Sequence, residues 1–162
     1  MINTERLELI PLTARQLGLW VDEPETLENE LNCRHMPAED FFRDIIRMQI
    51  VKAENDPQNE VYHSFWWIVR KSDRVAVGSC GFKNVPGDKG EVEIGYGLTK
   101  EYEGAGYMTE AIKAFCDWAL ARPEVSCVIA ETEADNPKSE NVLKRVGFVL
   151  ERQDETNWWR LS

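Results

Sequence analysis

Residues 91–98 read EVEIGYGL and residues 101–111 read EYEGAGYMTEA, a strand-like segment followed by a glycine-rich loop. The second segment leads directly into the apolar periodicity of a helix. Glycines let the backbone approach a ligand closely, and a helix start offers unpaired N–H groups and a positive dipole end. The sequence therefore predicts a strand, a glycine loop and a helix that together bind an anion.

The spacing of this loop separates it from two common nucleotide-binding patterns. A dinucleotide-binding fingerprint needs a third glycine at position 109, where this chain has Thr109. The lysine of a phosphate-binding P-loop is also missing. Capture of a diphosphate would depend on several convergent amides, from about Gly104 to Thr109, with the Thr109 hydroxyl as a further donor. The alternative is a tight strand-to-helix turn without a ligand.

The segments around this loop predict a sheet that begins as an antiparallel meander. Residues 65–70, 76–82 and 91–98 are rich in β-branched and aromatic residues, and short polar breaks suitable for hairpins separate them. An apolar stripe from Met108 to Ala119 indicates a helix, which Pro123 helps to end. Residues 127–132 form a short apolar strand, and a helical crossover makes it parallel to strand 91–98.

The remaining elements are predicted from their capping signals. Residues 7–12 indicate a strand near a sheet edge, and helices are expected over residues 14–20 and 25–31, with a third opened by Pro37. Asn136 caps a short helix that Gly147 ends. Residues 148–152 and 157–161 predict a last hairpin.

Length and composition favour one globular domain over residues 1–162. Hydrophobic residues make up 43% of the 162 and charged residues 30%, an ordinary globular balance. The 29 acidic against 19 basic residues give a formal charge of -10, which argues against a nucleic-acid partner. No apolar run is long enough for a membrane span. Four dispersed cysteines without a C-x-x-C pair or a signal-peptide pattern favour the reducing cytoplasm.

The chain resembles the GNAT acyltransferase superfamily over nearly its whole length. The family's phosphate loop has the form Q/R-x-x-G-x-G/A, which residues 101–106 match except that Glu101 replaces Gln or Arg. EIGY at 93–96, MTEA at 108–111, NPKS at 136–139 and GF at 147–148 follow in the family's order. TERL at 4–7 resembles the opening residues of the family branch that contains ribosomal-protein N-terminal acetyltransferases.

This resemblance implies an α/β fold with a mixed, mostly antiparallel sheet, helices on both faces and a central parallel strand pair that splays apart. Acetyl-CoA would be the co-substrate, with its pantetheine arm in the gap between the two strands. Its phosphates would lie on the glycine loop, and Asn136 could bond to pantetheine or phosphate besides capping its helix. The residues expected to bind the co-substrate are Tyr96, Gly97, Leu98, Gly104, Ala105, Gly106, Tyr107, Met108, Thr109 and Asn136.

Two residues are the candidates for catalysis. Glu93, next to the expected splay, could take the proton of an attacking amine directly or through water; the alternative is a solvent-facing strand residue. Ser139 matches a serine that the resemblance places near the sulfur, where it could protonate the leaving thiolate; the alternative is a backbone-capping residue. Glu101 and Glu103 put carboxylates beside the phosphate site and are expected to weaken binding.

Other conspicuous residues are interpreted structurally. Five carboxylates in residues 22–30 form a solvated helix face or, less commonly, attract a cationic acceptor. His35 and His63 show no metal-ligand spacing, so no metal site is predicted. The pairs Trp66-Trp67 and Trp158-Trp159 are each expected to bury one indole and expose the other. Cys80 and Cys127 lie in apolar strand patterns typical of the core.

The function predicted from these features is transfer of an acetyl group from acetyl-CoA to a primary amine by direct attack. The acceptor is a small molecule or a peptide, which the sequence does not distinguish. The alternative is a non-catalytic acyl-CoA-binding sensor or a module that acts through a partner protein. A homodimer is possible, because the Trp158-Trp159 hairpin could pair across a dimer; the alternative is that this hairpin covers its own core.

Overall fold

A computed structural model describes residues 1–35 and 38–162, and its described strands form one mixed sheet in the order β1-β2-β3-β4-β5-β6-β8-β7. Among the described strands, only β5 and β6 pair in parallel, and every other neighbouring pair is antiparallel. The strands are β1 Ile2–Asn3, β2 Leu7–Pro11, β3 Phe65–Arg70, β4 Val75–Phe82, β5 Glu91–Leu98, β6 Cys127–Glu133, β7 Val149–Gln153 and β8 Thr156–Leu161. The predicted meander, parallel crossover and last hairpin are confirmed.

The helices begin where the sequence places caps. Thr13 accepts from the Gln16 amide in a capping box, Asn136 accepts from the Ser139 amide, and Gly147 ends its helix with a φ of 116°. The predicted helix start at Pro37 lies outside the described residues. The described helices are α1 Ala14–Asp22, α2 Pro24–Leu31, α3 Asp40–Asn55, α4 Glu60–His63, α5 Tyr107–Leu120 and α6 Pro137–Val146.

The central parallel strands separate at their carboxyl ends. β5 and β6 pair only from Glu91 opposite Cys127 to Ile94 opposite Ala130. Beyond these residues β5 pairs with β4 alone, and β6 pairs with β8 alone. The gap that follows leaves backbone groups of residues 95–98 unpaired on one side, which confirms the predicted splay.

Helices cover both faces of the sheet, so the fold has two apolar clusters. One lies under α5 and contains Trp66, while the other lies under α1, α2 and α3 and contains Trp67. Both indoles are 1% exposed. The prediction that one of this pair is exposed is therefore wrong, because alternating side chains reach a covered face in either direction. In the second pair, Trp159 is buried and Trp158 is only partly exposed.

Candidate active site

The glycine loop has the backbone conformation that an anion site requires. Gly104 and Gly106 have φ values of 87° and 81°, a region that favours glycine, and Gly106 is the N-cap of α5. The first bond of the helix runs from the Glu110 amide to the Gly106 carbonyl at 3.1 Å. Within the described residues, no amide from 104 to 109 donates to an acceptor. These donors remain available for phosphate oxygens.

The amino-terminal residues hold this loop in place. The Arg6 guanidinium donates to the Ala105 carbonyl at 2.9 Å and to the Glu110 carboxylate at 2.7 Å. Glu110 also accepts from the Thr4 hydroxyl at 2.6 Å. Burial alone would raise the pKa of Glu110, but the bonds from Thr4 and Arg6 outweigh burial and lower this pKa. The carboxylate is thus an ionised anchor between β1, β2 and α5.

A cleft of 610 Å³ connects the loop with the end of β5 and with α6. Every residue expected to bind the co-substrate lines it except Ala105. The cleft also contains Lys138, Asn141 and Arg145, which the sequence analysis missed. Their spacing of three and four residues along one helix was the available signal, because such residues share a face. The full lining is Tyr96, Gly97, Leu98, Glu103, Gly104, Gly106, Tyr107, Met108, Thr109, Asn136, Lys138, Ser139, Asn141, Val142 and Arg145.

The charges near the loop are more favourable than the sequence suggests. The Lys138 ammonium lies 2.7 Å from the Glu103 carboxylate, which lines the cleft. Glu101 does not line the cleft. One of the two carboxylates expected to repel phosphate is therefore paired, and Arg145 adds a positive charge from α6.

Tyr96 and Ser139 form a hydrogen-bonded pair across the cleft. The Tyr96 hydroxyl lies 2.7 Å from the Ser139 Oγ, and the Ser139 amide donates to the Asn136 side chain at 3.2 Å. Burial raises the pKa of Tyr96, although its bond to Ser139 acts in the opposite direction. The pair therefore holds protons at neutral pH beside the splayed strands.

A second cleft, which the sequence analysis did not anticipate, lies across the end of β5. Its volume is 430 Å³, and Gly97 and Leu98 line both clefts. Its walls come from α1, β3, β4, the start of α3 and the residues His35 and Glu39, which are far apart in sequence. The other lining residues are Trp20, His35, Glu39, Phe41, Phe42, Trp67, Ala76, Gly78, Ser79 and Thr99.

Glu93 lies outside both clefts among the described residues. It stands in the paired part of β5, opposite Ile129, one residue before the strands separate. Its carboxylate lies 3.0 Å from the Lys83 ammonium. A base role for Glu93 stays a prediction.

The acidic segment is only partly solvated. Glu28 turns inward and bonds to His35, Glu30 pairs with Arg15, and Glu25 is exposed. His63 bonds to Asp56 at 2.9 Å. Among residues 1–35 and 38–162, no three His, Cys, Asp or Glu side chains are grouped as a metal site requires.

The cysteines are packing residues in the described structure. All four are buried and free, and burial raises the pKa of Cys33 to about 11 and that of Cys116 to about 12. Such thiols are poor nucleophiles. No helix in the part of the chain that the structure describes is long and apolar enough to cross a bilayer.

Splayed parallel strands, a loop of free amides and a second cleft at the same strand end are the features that the predicted acyl-CoA-dependent transferase requires. The acetyltransferase (GNAT) domain model matches residues 6–149. The chain therefore belongs to the GNAT acetyltransferase family. This membership confirms the predicted class of activity, acetyl-CoA-dependent N-acetyl transfer.

Individual relatives agree with this assignment. The chain is 34% identical over 114 residues to the uncharacterized N-acetyltransferase YjdG of Bacillus subtilis, covering 70% of this chain and 67% of that protein. It is 26% identical over 112 residues to the ribosomal-protein-serine acetyltransferase of Escherichia coli, covering 64% and 62%. The crystal structure of ribosomal-protein-S5-alanine acetyltransferase from Vibrio fischeri shares the fold with a TM-score of 0.70 at 16% identity, covering 98% and 94%.

Proposed function

We propose that this protein transfers the acetyl group of acetyl-CoA directly to the amino terminus of a protein or peptide. The observation that carries the proposal is the meeting of the two clefts at Gly97 and Leu98. One cleft has the amide loop for the co-substrate, and the other has room for an acceptor. A thioester and an amine bound from opposite sides would meet at the end of β5 without a covalent enzyme intermediate.

The co-substrate cleft supplies binding groups along its length. The free amides of residues 104–109 would bind the diphosphate, and Arg145 adds positive charge, while Lys138 neutralises Glu103. The unpaired backbone of residues 96–98 would bond the pantetheine amides like an added strand. Asn136 lines the same cleft and offers its side-chain NH₂. Acetyl-CoA supplies the thioester when it is bound.

The transfer itself depends mainly on positioning. Holding an amine at attack distance from a thioester removes an entropic barrier of about 7–11 kcal/mol in favourable cases. The backbone amide of Gly95 or Tyr96 is a candidate donor to the developing oxyanion. A proton from the Tyr96–Ser139 pair would neutralise the leaving thiolate, because both hydroxyls are protonated at neutral pH and face this cleft.

A peptide acceptor is supported by the relatives and by the shape of the second cleft. The Escherichia coli relative is named a ribosomal-protein-serine acetyltransferase, which indicates a protein amine in that case. In this chain Phe41 is 64% exposed at the cleft lining and could contact the peptide beyond its first residue. The negative net charge of -10 favours an acceptor that carries positive charge.

The test combines purified protein, acetyl-CoA and a panel of amines, with release of free thiol as the readout. The panel contains peptides that begin with Ser, Ala or Met, the same peptides with blocked amino termini, and a polyamine. Release that needs a free peptide amino terminus supports the proposal. Tight binding of acetyl-CoA without release by any amine would instead support the sensor alternative.

Glu93→Gln tests the predicted base in the same assay. If Glu93 accepts the proton, kcat falls by about 10² or more, within the range of general base catalysis. Lys83→Met is the matched control, because it removes only the ion-pair partner. A Glu93→Gln variant with unchanged kcat would exclude Glu93 as the base.

A further inference from the structure

His35, which lines the second cleft, is held in one tautomer. The His35 Nδ1 lies 3.0 Å from the Glu28 Oε2, and the same oxygen accepts the His35 backbone N–H at 3.0 Å. A carboxylate only accepts hydrogen bonds, so Nδ1 carries the proton and donates it. In the neutral ring the lone pair is therefore on Nε2.

This Nε2 is buried and has no hydrogen-bond partner among the described residues. The His35 side chain is 6% exposed. Its ring packs against Trp67, with centroids 4.6 Å apart, and Trp20 lies at 6.4 Å. The indole N–H groups of Trp20 and Trp67, which line the same cleft, are likewise buried without a partner among the described residues. Buried polar atoms almost always have partners, so one acceptor and two donors left unpaired around one cleft indicate polar groups that a ligand or its water supplies.

The position of His35 connects this acceptor with the reaction. His35, Gly97 and Leu98 line the same cleft of 430 Å³, and the latter two also line the co-substrate cleft. Glu39 is the other ionisable residue in the lining. Among the described lining residues there is no lysine or arginine that would compete for the imidazole or repel an ammonium group.

We propose that His35 accepts the proton of the amine during acetyl transfer, with Glu28 as its positioning residue. This inference rests on the proposed function. The ammonium group first loses one proton to solvent, and the lone pair of the neutral amine then forms the C–N bond. A second proton of that nitrogen passes to Nε2 directly or through one water. The C–S bond breaks with its electron pair on sulfur, and the thiolate takes a proton from the Tyr96–Ser139 pair or from solvent. Glu28 balances the charge of the imidazolium.

The electrostatic surroundings agree with this role. Burial lowers the pKa of His35, and the bond to Glu28 opposes that effect only in part. The ring is therefore neutral at pH 7 and able to accept a proton. Glu28 on α2 touches the ring, and Glu39 lies at the cleft; α1 and β3 present Trp20 and Trp67. In contrast, the Glu93 carboxylate is engaged by Lys83.

The decisive variant is His35→Asn, whose side-chain amide can still donate to Glu28 but lacks an atom at Nε2. We expect kcat to fall about 10²-fold with the best peptide of the panel. The acid limb of the kcat/KM profile, set by a group with a pKa below 6.5, should disappear. Affinity for coenzyme A, measured by calorimetry, should stay within twofold. His63→Asn is the matched control, because His63 also bonds a carboxylate but lines neither cleft.

Glu28→Gln removes the negative charge beside His35 but keeps the size and shape of the side chain. The Gln carbonyl can accept both bonds, but the imidazolium loses its counter-charge, so the acid limb should move to lower pH and kcat should fall about tenfold. A Glu28→Gln variant with the kcat and the pH profile of the wild type would overturn the role of Glu28 as the positioning residue of His35.

Two further outcomes keep the inference separate from the proposed function. Wild-type protein that releases no thiol with any amine contradicts the proposed function. Active wild-type protein together with a His35→Asn variant of unchanged kcat and pH profile contradicts only the inference. Nitrogen NMR of the wild type gives a readout without activity: the Nδ1–H form of His35 supports the proposal, and the Nε2–H form overturns it even if His35→Asn fails to fold.

Discussion

The Tyr96 and Ser139 hydroxyls at the splayed strands belong to one hydrogen-bond network. Tyr96 reaches Ser139 from β5, and Ser139 is fixed because its amide donates to Asn136. Either hydroxyl can pass a proton toward the cleft while the other replaces it. Loss of one member should therefore be milder than loss of both, because the remaining hydroxyl and water can substitute.

Tyr96→Phe and Ser139→Ala are each expected to lower kcat only about threefold, and the double variant about 10²-fold, if the pair protonates the thiolate. KM for acetyl-CoA should change less than kcat. Steady-state thiol release measures both constants. Ser72→Ala, which removes an exposed hydroxyl that lines neither cleft, serves as the control. Unchanged kcat in the double variant would leave the pair only a structural role.

Protonation of the Glu110 carboxylate is expected to lower the free energy of unfolding. Its pKa is lowered in the folded state, so its stabilising effect is fully present above the unfolded pKa of about 4.3 and is lost as pH falls through the folded value. Glu110→Gln should cost about 1–2 kcal/mol at pH 7, because a charged acceptor of several bonds is replaced.

Urea unfolding at pH 7 and at pH 3.5 tests this prediction, since the difference between wild type and Glu110→Gln should shrink at the lower pH. Asp117→Asn is the control: its pair with Lys113 is about two-thirds exposed, and such pairs contribute little. A pH-independent difference would show that the carboxylate charge is not the stabilising factor.

At the scale of elements, local signals explain why the sheet was predictable and the second cleft was not. Strand alternation and caps such as Thr13 and Asn136 depend on neighbours in sequence. The cleft around His35 instead needs α1, β3 and β5 to meet, and no spacing in the sequence encodes this meeting. Glu28 illustrates the limit: within an acidic run it looked solvated, whereas its partner lies in the loop after α2.

The junction of the glycine loop and α5 gives an element-scale prediction. Gly106→Ala puts a side chain at a φ of 81°, which costs about 1–2 kcal/mol unless the loop changes conformation. Because rearrangement would turn the amides of residues 104–109 away from the phosphates, affinity for coenzyme A should fall about tenfold.

Calorimetry with coenzyme A measures this loss. Gly87→Ala is the matched control, because its added Cβ meets nothing within 4 Å and its φ is not positive. Wild-type affinity in Gly106→Ala would mean that the left-handed turn does not position the phosphate-binding groups.

At the scale of the whole molecule, a negative charge is expected to favour a cationic peptide on only one face of the sheet. Glu25 is exposed on α2, on the face of the sheet that holds the second cleft, whereas Asp117 is exposed on α5 across the sheet. Glu25→Lys should lower kcat/KM for a lysine-containing peptide two- to fivefold at low salt, and the effect should vanish near 1 M salt. Asp117→Lys makes the same change of charge on the other face and should have little effect. Equal losses in both variants would indicate a general effect of net charge.

The end of β5 belongs to both clefts, so a change there should affect both substrates together. A Cβ on Gly78 would lie 2.2 Å from the Gly97 carbonyl oxygen, a backbone atom that cannot yield without moving β5 away from β4. Gly78→Ala should therefore raise KM for acetyl-CoA and for the peptide in parallel and should lower the free energy of unfolding by about 1–3 kcal/mol. His35→Asn, in contrast, should lower kcat while leaving coenzyme A binding intact. Bisubstrate kinetics measures both KM values, and a Gly78→Ala variant that impairs only one substrate would show that the two clefts do not share this strand end in function.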